Sequence, residues 1–189
     1  MSADYGYIRE AFFVRRYHTV GHVHKEETLG HHTANVVAII FFLFDDHPPL
    51  FLIRHALHHD VPELATGDIP ATTKWRHPEI AKSLEAAEAA VIENMGLENT
   101  PLEPLHRDLL KFADMMDLCF KSVEELAVGN DAFTHILYNG LVYVRALLAD
   151  GLKDHVRAHA LYRMLESNKF IHIKEVYDGE EIIPTGSKH

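Results

Sequence analysis

Along most of this chain, apolar residues recur at spacings of three and four, the pattern of helices that bury one face. The pattern predicts a first helix from Tyr5 to Tyr17 and an almost entirely apolar second helix from Gly30 to Phe44. A helix that is apolar on every side lies in the centre of a fold. The remaining predicted helices cover Pro49–Asp60, His77–Met95, Leu105–Val128, Ala132–Leu148 and Lys153–Ser167.

The predicted helix over residues 77–95 has an amphipathic pattern. Its apolar positions are expected to form one stripe that faces the core, while its glutamates are expected to face solvent. The stripe consists of Ile80, Leu84, Ala87 and Val91, and the outward glutamates are Glu85, Glu88 and Glu93.

The pattern changes from Lys169 onward, where short β-favouring runs replace the helical spacing. Asp178-Gly179 stands between two of these runs, and Asp-Gly is a frequent hairpin turn. The sequence therefore predicts an all-α helical bundle over residues 1–168 and a short β-like appendage, read as a hairpin, over residues 169–189.

The length of 189 residues and the 47% hydrophobic content suit one globular domain with a sizeable core. No apolar run approaches the roughly 18 residues that a membrane-spanning helix needs. Met1 to Tyr5 lacks the basic and apolar regions of a secretory signal, and Cys119 is the single cysteine. These features predict a cytoplasmic protein with no membrane partner.

The formal net charge of −10 disfavours a nucleic-acid polymer as partner, because such binding needs a surface of opposite sign. A small phosphorylated ligand stays compatible with this charge, since a metal ion and a few local cations would hold it. Most of the sixteen histidines, His22 and His24 among them, are expected at the surface.

A cluster of ionisable residues lies between His59 and Lys74, directly after an apolar run that predicts a buried helix. His59 and Asp60 are adjacent, Glu63 follows one turn later, and the turn Thr66-Gly67-Asp68-Ile69-Pro70 leads to Lys74. Ionisable groups beside an apolar interior are costly unless they are paired, so such a cluster indicates a metal or catalytic site.

His59 and Asp60 suit Zn²⁺, Mn²⁺, Co²⁺ or Fe²⁺, but two neighbouring residues alone do not complete a site. The predicted further ligands are His32, near the start of the second helix, and Asp114, inside an apolar helix face. Within the pairs His31-His32 and His58-His59, one member is expected to face the ion. Asp117 is expected to be solvated or paired with a lysine, with support of the site as the alternative.

The other candidates are assigned by their chemistry. Glu63 is three residues after Asp60, so it is placed to transfer a proton as water attacks, unless Pro62 breaks the helix. Asp68 is either a turn residue or a group that positions water or substrate. Lys74 and Arg16 are candidates for binding phosphate, and Tyr17 offers a ring on which a base would stack.

The set His32…His59-Asp60…Asp114, with Glu63, resembles the H…HD…D signature of the HD-domain metal-dependent phosphohydrolases. The likeness extends to the branch of 5'-deoxynucleotidases and phage deoxynucleoside triphosphohydrolases. It spans about residues 10–130 and rests on further motifs as well: Arg16-Tyr17, Thr66-Gly67-Asp68-Ile69-Pro70, Lys111-Phe112-Ala113-Asp114 and Lys121-Ser122-Val123-Glu124-Glu125-Leu126.

The resemblance implies an HD-domain helical bundle that uses a divalent ion, Mn²⁺, Co²⁺ or Zn²⁺, with Mg²⁺ as a further option. It implies attack of water at the α-phosphorus of a deoxynucleotide. The modest gap between Asp60 and Asp114 favours a triphosphate, dATP first, with a 5'-deoxynucleotidase acting on monophosphates as the alternative. A homo-oligomer is implied too, and the host cytoplasm is the expected location if a phage encodes the chain.

Two other classes stay open at this point. An oxygenase or phosphodiesterase of the same fold would carry two metals and needs further histidines, for which His77 and His106 are the candidates. A non-catalytic helical binding module with a vestigial site would bind no metal and hydrolyse no nucleotide.

Overall fold

The computed structural model describes residues 5–97 and 100–167, which form an all-α fold. The predicted appendage over residues 169–189 lies outside the described residues. Nine α-helices and one 3₁₀ turn are present in the described part of the chain. They are α1 Tyr5–Ala11, α2 Leu29–Leu43, α3 Leu50–His58, α4 Glu63–Thr66, α5 Ala71–Arg76, α6 Pro78–Met95, α7 Pro104–Ala127, the 3₁₀ turn Asp131–Phe133, α8 Thr134–Ala149 and α9 Val156–Glu166.

The long helix α7 is the centre of the fold, and it packs against α8, α2, α3 and α9. Its buried residues include charged groups as well as a broad apolar face. Gly140 marks a close approach of α8 to α7. A Cβ atom at that position would lie 2.7 Å from Leu118 and 2.8 Å from Cys119. Any larger residue would therefore push the two helices apart.

The predicted first helix is wrong beyond Ala11, because the chain leaves the helix and pairs with a later segment. The backbone N–H of Arg16 donates to the Glu27 carbonyl at 2.9 Å, and that of Leu29 donates to the Val14 carbonyl at 2.9 Å. Arg15 and Thr28 form an isolated antiparallel β-bridge in the same stretch. This pairing places Arg16 and Tyr17 beside the beginning of α2.

The helix before α6 was not predicted, and α6 itself is less buried than its pattern suggests. Within α6 no described residue is fully buried, and the expected stripe residue Ala87 is exposed. Glu88, expected to face solvent, is half-buried instead. The physical reason is position: α6 packs on the short helices α4 and α5 at the edge of the fold, away from the main core.

Among the described residues, no helix has the length and apolar character needed to cross a membrane.

The main core consists of side chains from α2, α3, α7, α8 and α9. A second, smaller cluster joins Ala11 at the end of α1 to Val61, directly after the His59–Asp60 pair. The amino-terminal segment thus packs against the segment that contains His59 and Asp60.

Candidate active site

Four side chains from three helical segments converge on one point. His32 Nε2, at the start of α2, lies 3.3 Å from Asp60 Oδ2 and 3.3 Å from Asp114 Oδ1 of α7. His59 Nε2 lies 3.3 Å from His32 Nε2 and 3.3 Å from Asp60 Oδ2. The predicted metal ligands are therefore brought together, although Asp114 is 54 positions after Asp60 in the sequence.

The arrangement fits a divalent ion. Nitrogen and oxygen ligands bind such ions at about 2.0–2.2 Å, so neighbouring ligand atoms around one ion are roughly 3 Å apart or slightly more. The 3.3 Å spacings match this value. Two imidazoles and two carboxylates suit Zn²⁺, Mn²⁺ or Co²⁺.

Each histidine has a hydrogen-bond partner that leaves Nε2 facing the cluster. His59 Nδ1 lies 2.7 Å from the Ala56 carbonyl oxygen, and His32 Nδ1 lies 2.6 Å from Asp117 Oδ2. Since Nδ1 donates in both rings, Nε2 is the nitrogen that a metal ion would bind once the ring is neutral. The expectation of a solvated or lysine-paired Asp117 is therefore wrong: Asp117 is buried and orients His32.

The structure also shows which histidine of the pairs His31-His32 and His58-His59 faces the cluster. His31 is exposed and its Nδ1 lies 3.1 Å from Thr28 Oγ1, so it does not face the cluster. His58 is buried but its side chain is not among the converging ligand atoms. Of each pair, the second member faces the candidate metal centre.

The surrounding charges shift the pKa values of these groups. Burial and Arg16 act to lower the pKa of His32, but three carboxyls, of Asp114, Asp117 and Asp60, hold it well above its ordinary value. Burial acts to raise the pKa of Asp60, yet His59, His32 and Arg16 hold it below its ordinary range. An ion would have to displace a proton from His32.

The helix does not continue from His59 to Glu63, because α3 ends at His58 and α4 begins at Glu63, directly after Pro62. Glu63 nevertheless lines the same cavity as Asp60. Its backbone N–H donates to the Asp60 carbonyl at 3.0 Å. Burial and the charges of Asp60 and Asp68 raise the pKa of Glu63 to about 9. Glu63 Oε2 is buried and has no hydrogen-bond partner among the described residues, so it is free to bind a ligand.

Arg16 is nearly buried between two carboxylates. Its Nε lies 3.5 Å from Glu27 Oε1 and its Nη1 lies 4.0 Å from Asp60 Oδ2. Nη1 makes no hydrogen bond within the described part of the chain. Glu27, a buried acid that the sequence analysis did not single out, therefore directs the guanidinium toward the ligand cluster.

Asp68 and Tyr17 are joined directly. Asp68 Oδ2 accepts a hydrogen bond of 2.9 Å from the backbone N–H of Tyr17. Tyr17 has a positive φ of 55°, a left-handed conformation that an aromatic residue rarely adopts without such support. Asp68 thus has a structural partner as well as a place in the cavity wall.

A cavity of about 340 Å³ opens beside the ligand cluster. One half of it is polar and charged, and contains Arg16, Asp60, Glu63, Asp68, Lys74, Lys111 and Asp114. The other half is mostly apolar, and much of it comes from α7, the 3₁₀ turn and α8 through Met115, Leu118, Ala132, His135, Ile136 and Tyr143. This second half was not predicted from the sequence, because its residues have the spacing of ordinary core positions.

Lys111 belongs to the Lys111-Phe112-Ala113-Asp114 motif, but no role was predicted for it from sequence. Its Nζ donates to Asp114 Oδ2 at 2.7 Å, which leaves Oδ1 of the same carboxylate facing His32. The ring of Tyr143 lies 5.9 Å from the same ammonium group. Lys111 therefore fixes the orientation of Asp114 and adds a positive charge to the cavity.

A model of the YfbR-like 5'-deoxynucleotidase family matches residues 6–153. The chain belongs to this family. It is thereby a member of the HD-domain phosphohydrolases. The sequence resemblance is confirmed at the level of the family and of the all-α fold.

Individual relatives cover only part of the chain. A 5'-deoxynucleotidase of Vibrio cholerae is 33% identical over 41% of this chain and 47% of its own length. Its counterparts from Vibrio parahaemolyticus and Yersinia pestis are 34% and 30% identical over the same shares. The chain thus matches about half the length of these curated relatives.

One solved structure is similar over nearly the whole fold. The HD phosphohydrolase DatZ of cyanophage S-2L, determined with bound dA and one catalytic Zn²⁺ ion, superposes with a TM-score of 0.60. The match covers 91% of this chain and 97% of that one, at 21% identity. At that identity the likeness establishes the shared fold.

Proposed function

We propose that this protein is a metal-dependent 5'-deoxynucleotidase, which hydrolyses a deoxynucleoside monophosphate to the deoxynucleoside and orthophosphate. The observation that carries the proposal is the convergence of His32, His59, Asp60 and Asp114 at 3.3 Å spacings beside Glu63. Membership of the YfbR-like 5'-deoxynucleotidase family supports the monophosphate, which the sequence analysis held as the alternative to dATP.

The two halves of the cavity suit the two parts of such a substrate. The charged half would receive the phosphate, with Arg16 Nη1 as a donor that has no hydrogen-bond partner among the described residues. The apolar half would receive the sugar and base, against Met115, Leu118 and Ile136. A volume of about 340 Å³ lies at the lower end of the range for small-ligand pockets.

His32, His59, Asp60 and Asp114 would hold the ion. A divalent ion in this position lowers the pKa of water and offsets negative charge on the phosphoryl group. Glu63 would accept a proton from the attacking water, because it lines the cavity together with Asp60 and its Oε2 has no hydrogen-bond partner among the described residues. As the new P–O bond forms and the bond to the 5' oxygen breaks, Glu63 would return that proton to the 5' oxygen.

Arg16 and Lys74 would hold the phosphate oxygens, and Tyr17 would form part of the wall at the nucleoside. Lys74 lies on α5 near Glu88, which is half-buried. Burial raises the pKa of Glu88, while the positive charge of Lys74 acts to lower it. The negative charge of Glu88 offsets part of the positive charge of Lys74, which favours one phosphate over three.

A deoxynucleoside triphosphohydrolase is the second candidate. One observation favours it: Arg16, Lys74 and Lys111 all line the same cavity, and three cations would balance a longer phosphate chain. In that reaction the same attack at the α-phosphorus would release triphosphate.

A panel assay separates the two candidates. The purified protein, loaded with Zn²⁺, Mn²⁺ or Co²⁺, is given each deoxy- and ribonucleotide as mono- and triphosphate. Release of deoxynucleoside and orthophosphate from monophosphates supports the proposal, whereas triphosphate release with a higher kcat/KM supports the second candidate. Absence of any nucleoside product would refute both. Asp60→Asn, which removes a proposed ligand charge, is the inactive control.

The expected homo-oligomer and cytoplasmic location stay predictions for the whole protein. Sedimentation of the purified protein would give the number of chains in the assembly. The two-metal alternative predicts two equivalents of ion per chain, whereas the proposed site predicts one, so metal analysis of the same preparation separates these as well.

A further inference from the structure

Three aromatic rings form a cluster at the edge of the cavity. The ring centroid of Tyr17 lies 6.0 Å from that of His22 and 5.5 Å from that of Phe133, and His22 and Phe133 are 5.8 Å apart. The Tyr17 and His22 planes meet at 72°, an edge-to-face geometry that aromatic pairs prefer. His22, expected at the surface from sequence, is therefore packed against a residue of the cavity wall.

The loop that carries His22 is fixed by a fully buried carboxylate of α7. Glu125 Oε2 accepts hydrogen bonds from the backbone N–H groups of Val23 at 2.9 Å and His24 at 3.3 Å. Glu125 Oε1 lies 3.4 Å from His22 Nδ1 and accepts a weaker bond from the Lys25 N–H at 3.5 Å. One side chain thus holds four consecutive residues of the loop.

Two neighbours of Glu125 complete this anchor. Lys121 Nζ donates to Glu125 at 2.8 Å and to the Lys25 carbonyl at 2.5 Å. Asn130 Nδ2 donates to Glu125 at 2.8 Å and to the Gly21 carbonyl at 2.8 Å. Both ends of the loop are therefore tied to the carboxyl end of α7, which explains the Lys121…Glu125 motif that the catalytic chemistry does not use.

Tyr17 needs such support. Its left-handed backbone conformation costs free energy that the surroundings must offset. Its hydroxyl is buried and has no hydrogen-bond partner among residues 5–97 and 100–167. Apart from Arg16, which lies 5.3 Å from the ring centroid, His22 and Phe133 are the aromatic neighbours that fix the ring in place.

We propose that His22, placed by the Glu125 anchor, is a positioning residue for Tyr17 and thereby sets the affinity for the nucleoside part of the substrate. This inference rests on the proposed function, in which Tyr17 forms part of the nucleoside wall. His22 does not contribute to the ligand cluster, so its effect is on substrate binding and not on the chemical step.

The test compares His22→Leu with His22→Phe, and uses His24→Leu as the matched control. His24 is in the same loop but is exposed, with its ring near Glu124. The leucine at position 22 removes the edge-to-face contact, so KM for a deoxynucleoside monophosphate is expected to rise about 5- to 10-fold, given the strength of such pairs. His22→Phe keeps a ring, and His24→Leu keeps His22, so both are expected to stay within about twofold of wild type on the same reasoning.

Product inhibition supplies a readout that general loosening of the fold would not give. In His22→Leu, the inhibition constant of the deoxynucleoside is expected to rise with KM. That of inorganic phosphate and the dissociation constant for Zn²⁺ are expected to stay at the wild-type values, as is kcat. This split between nucleoside and phosphate is specific to a role at Tyr17.

Other results would contradict the inference. If KM and the deoxynucleoside inhibition constant are unchanged in His22→Leu, or if phosphate and Zn²⁺ binding weaken as much as nucleoside binding, the inference is wrong. If the wild type is active and His22→Leu has the wild-type KM and deoxynucleoside inhibition constant, this inference alone is overturned. A wild type that releases no nucleoside overturns the proposed function, and this inference with it.

Discussion

The carboxylate of Asp68 binds the backbone N–H of Tyr17 at 2.9 Å, across 51 positions of sequence. The bond connects the turn after the His59–Asp60 pair to the segment that contains Arg16. Since Arg16 and Tyr17 are adjacent, Asp68 helps to set the position of both. Asp68, expected to be a turn residue or to position water or substrate, therefore also positions Tyr17.

Asp68→Ala and Asp68→Asn test what Asp68 contributes. Alanine leaves the Tyr17 N–H without its acceptor, and losing such a partner in a buried site costs about 1–3 kcal/mol. We expect KM to rise about tenfold, which corresponds to about 1.4 kcal/mol. Asparagine keeps an oxygen acceptor, so its KM is expected near the wild-type value in steady-state assays. A loss of kcat that is equal in both variants would instead indicate a proton-transfer role.

Asp117→Asn should weaken metal binding without touching a proposed ligand. The amide is a poorer partner for His32 Nδ1–H than the carboxylate, and outer partners of this kind are worth about 10–100-fold in metal affinity. Calorimetric titration with Zn²⁺ measures the change. Asp154→Asn, at an exposed position, is the control and should bind as wild type does. Equal Zn²⁺ affinity in both variants would contradict the role of Asp117.

Glu63→Gln separates proton transfer from metal binding. Glutamine has the same size but takes no proton from water, so kcat is expected to fall by about 10²–10⁴-fold. Zn²⁺ affinity should change little, because Glu63 is outside the converging ligand set. The two quantities come from phosphate release and from calorimetry on the same preparation. A variant that keeps near-normal kcat would remove Glu63 from the mechanism.

Glu125→Gln should destabilise the fold strongly. The change leaves the buried ammonium of Lys121 without its charge partner, and breaking such a pair costs about 3–5 kcal/mol. The adjacent Glu124 is exposed and serves as the control in Glu124→Gln. Urea unfolding of the two variants and the wild type gives the difference in free energy. A loss of similar size in both variants would disprove the anchor.

The same residue gives the sign of a pH dependence. Although burial acts to raise it, hydrogen bonds from Lys121, Asn130 and the loop backbone hold the pKa of Glu125 well below its ordinary value of 4.5. A group whose pKa is lower in the folded state stabilises that state above the unfolded value. The contribution of Glu125 is therefore complete above about pH 4.5 and is lost as the pH falls below it. Glu125→Gln should show a shallower loss of stability over this acid range.

The convergence of His59, Asp60 and Asp114 was predictable from sequence because these residues are chemically out of place. His59-Asp60 follows an apolar helix, and Asp114 interrupts an apolar face, so each indicates a site before any fold is known. Asp117 was misjudged although it is one turn after Asp114 on the same helix. Spacing shows that two residues share a face, but it does not show that His32, 85 positions away, lies opposite.

The apolar half of the cavity was not predictable in the same way. Met115, Leu118 and Ile136 have the spacing of core residues, and only the packing of α8 on α7 shows that they line a cavity. For a related reason Glu27 was missed, and Glu125 was quoted within a motif but given no role. A glutamate in a polar loop or near a helix end is usually solvated, and its burial here depends on a partner from a distant segment.

Glu125 follows the loop it holds by about one hundred residues. On the ribosome the chain emerges from its amino end, so Arg16, Tyr17 and His22 leave the exit tunnel long before their anchor is synthesised. A nascent chain would thus display the His59–Asp60 pair while the loop of residues 21–25 is still unfixed. Tyr17 and His22 therefore reach their final positions late in translation, when the carboxyl end of α7 has folded against the loop.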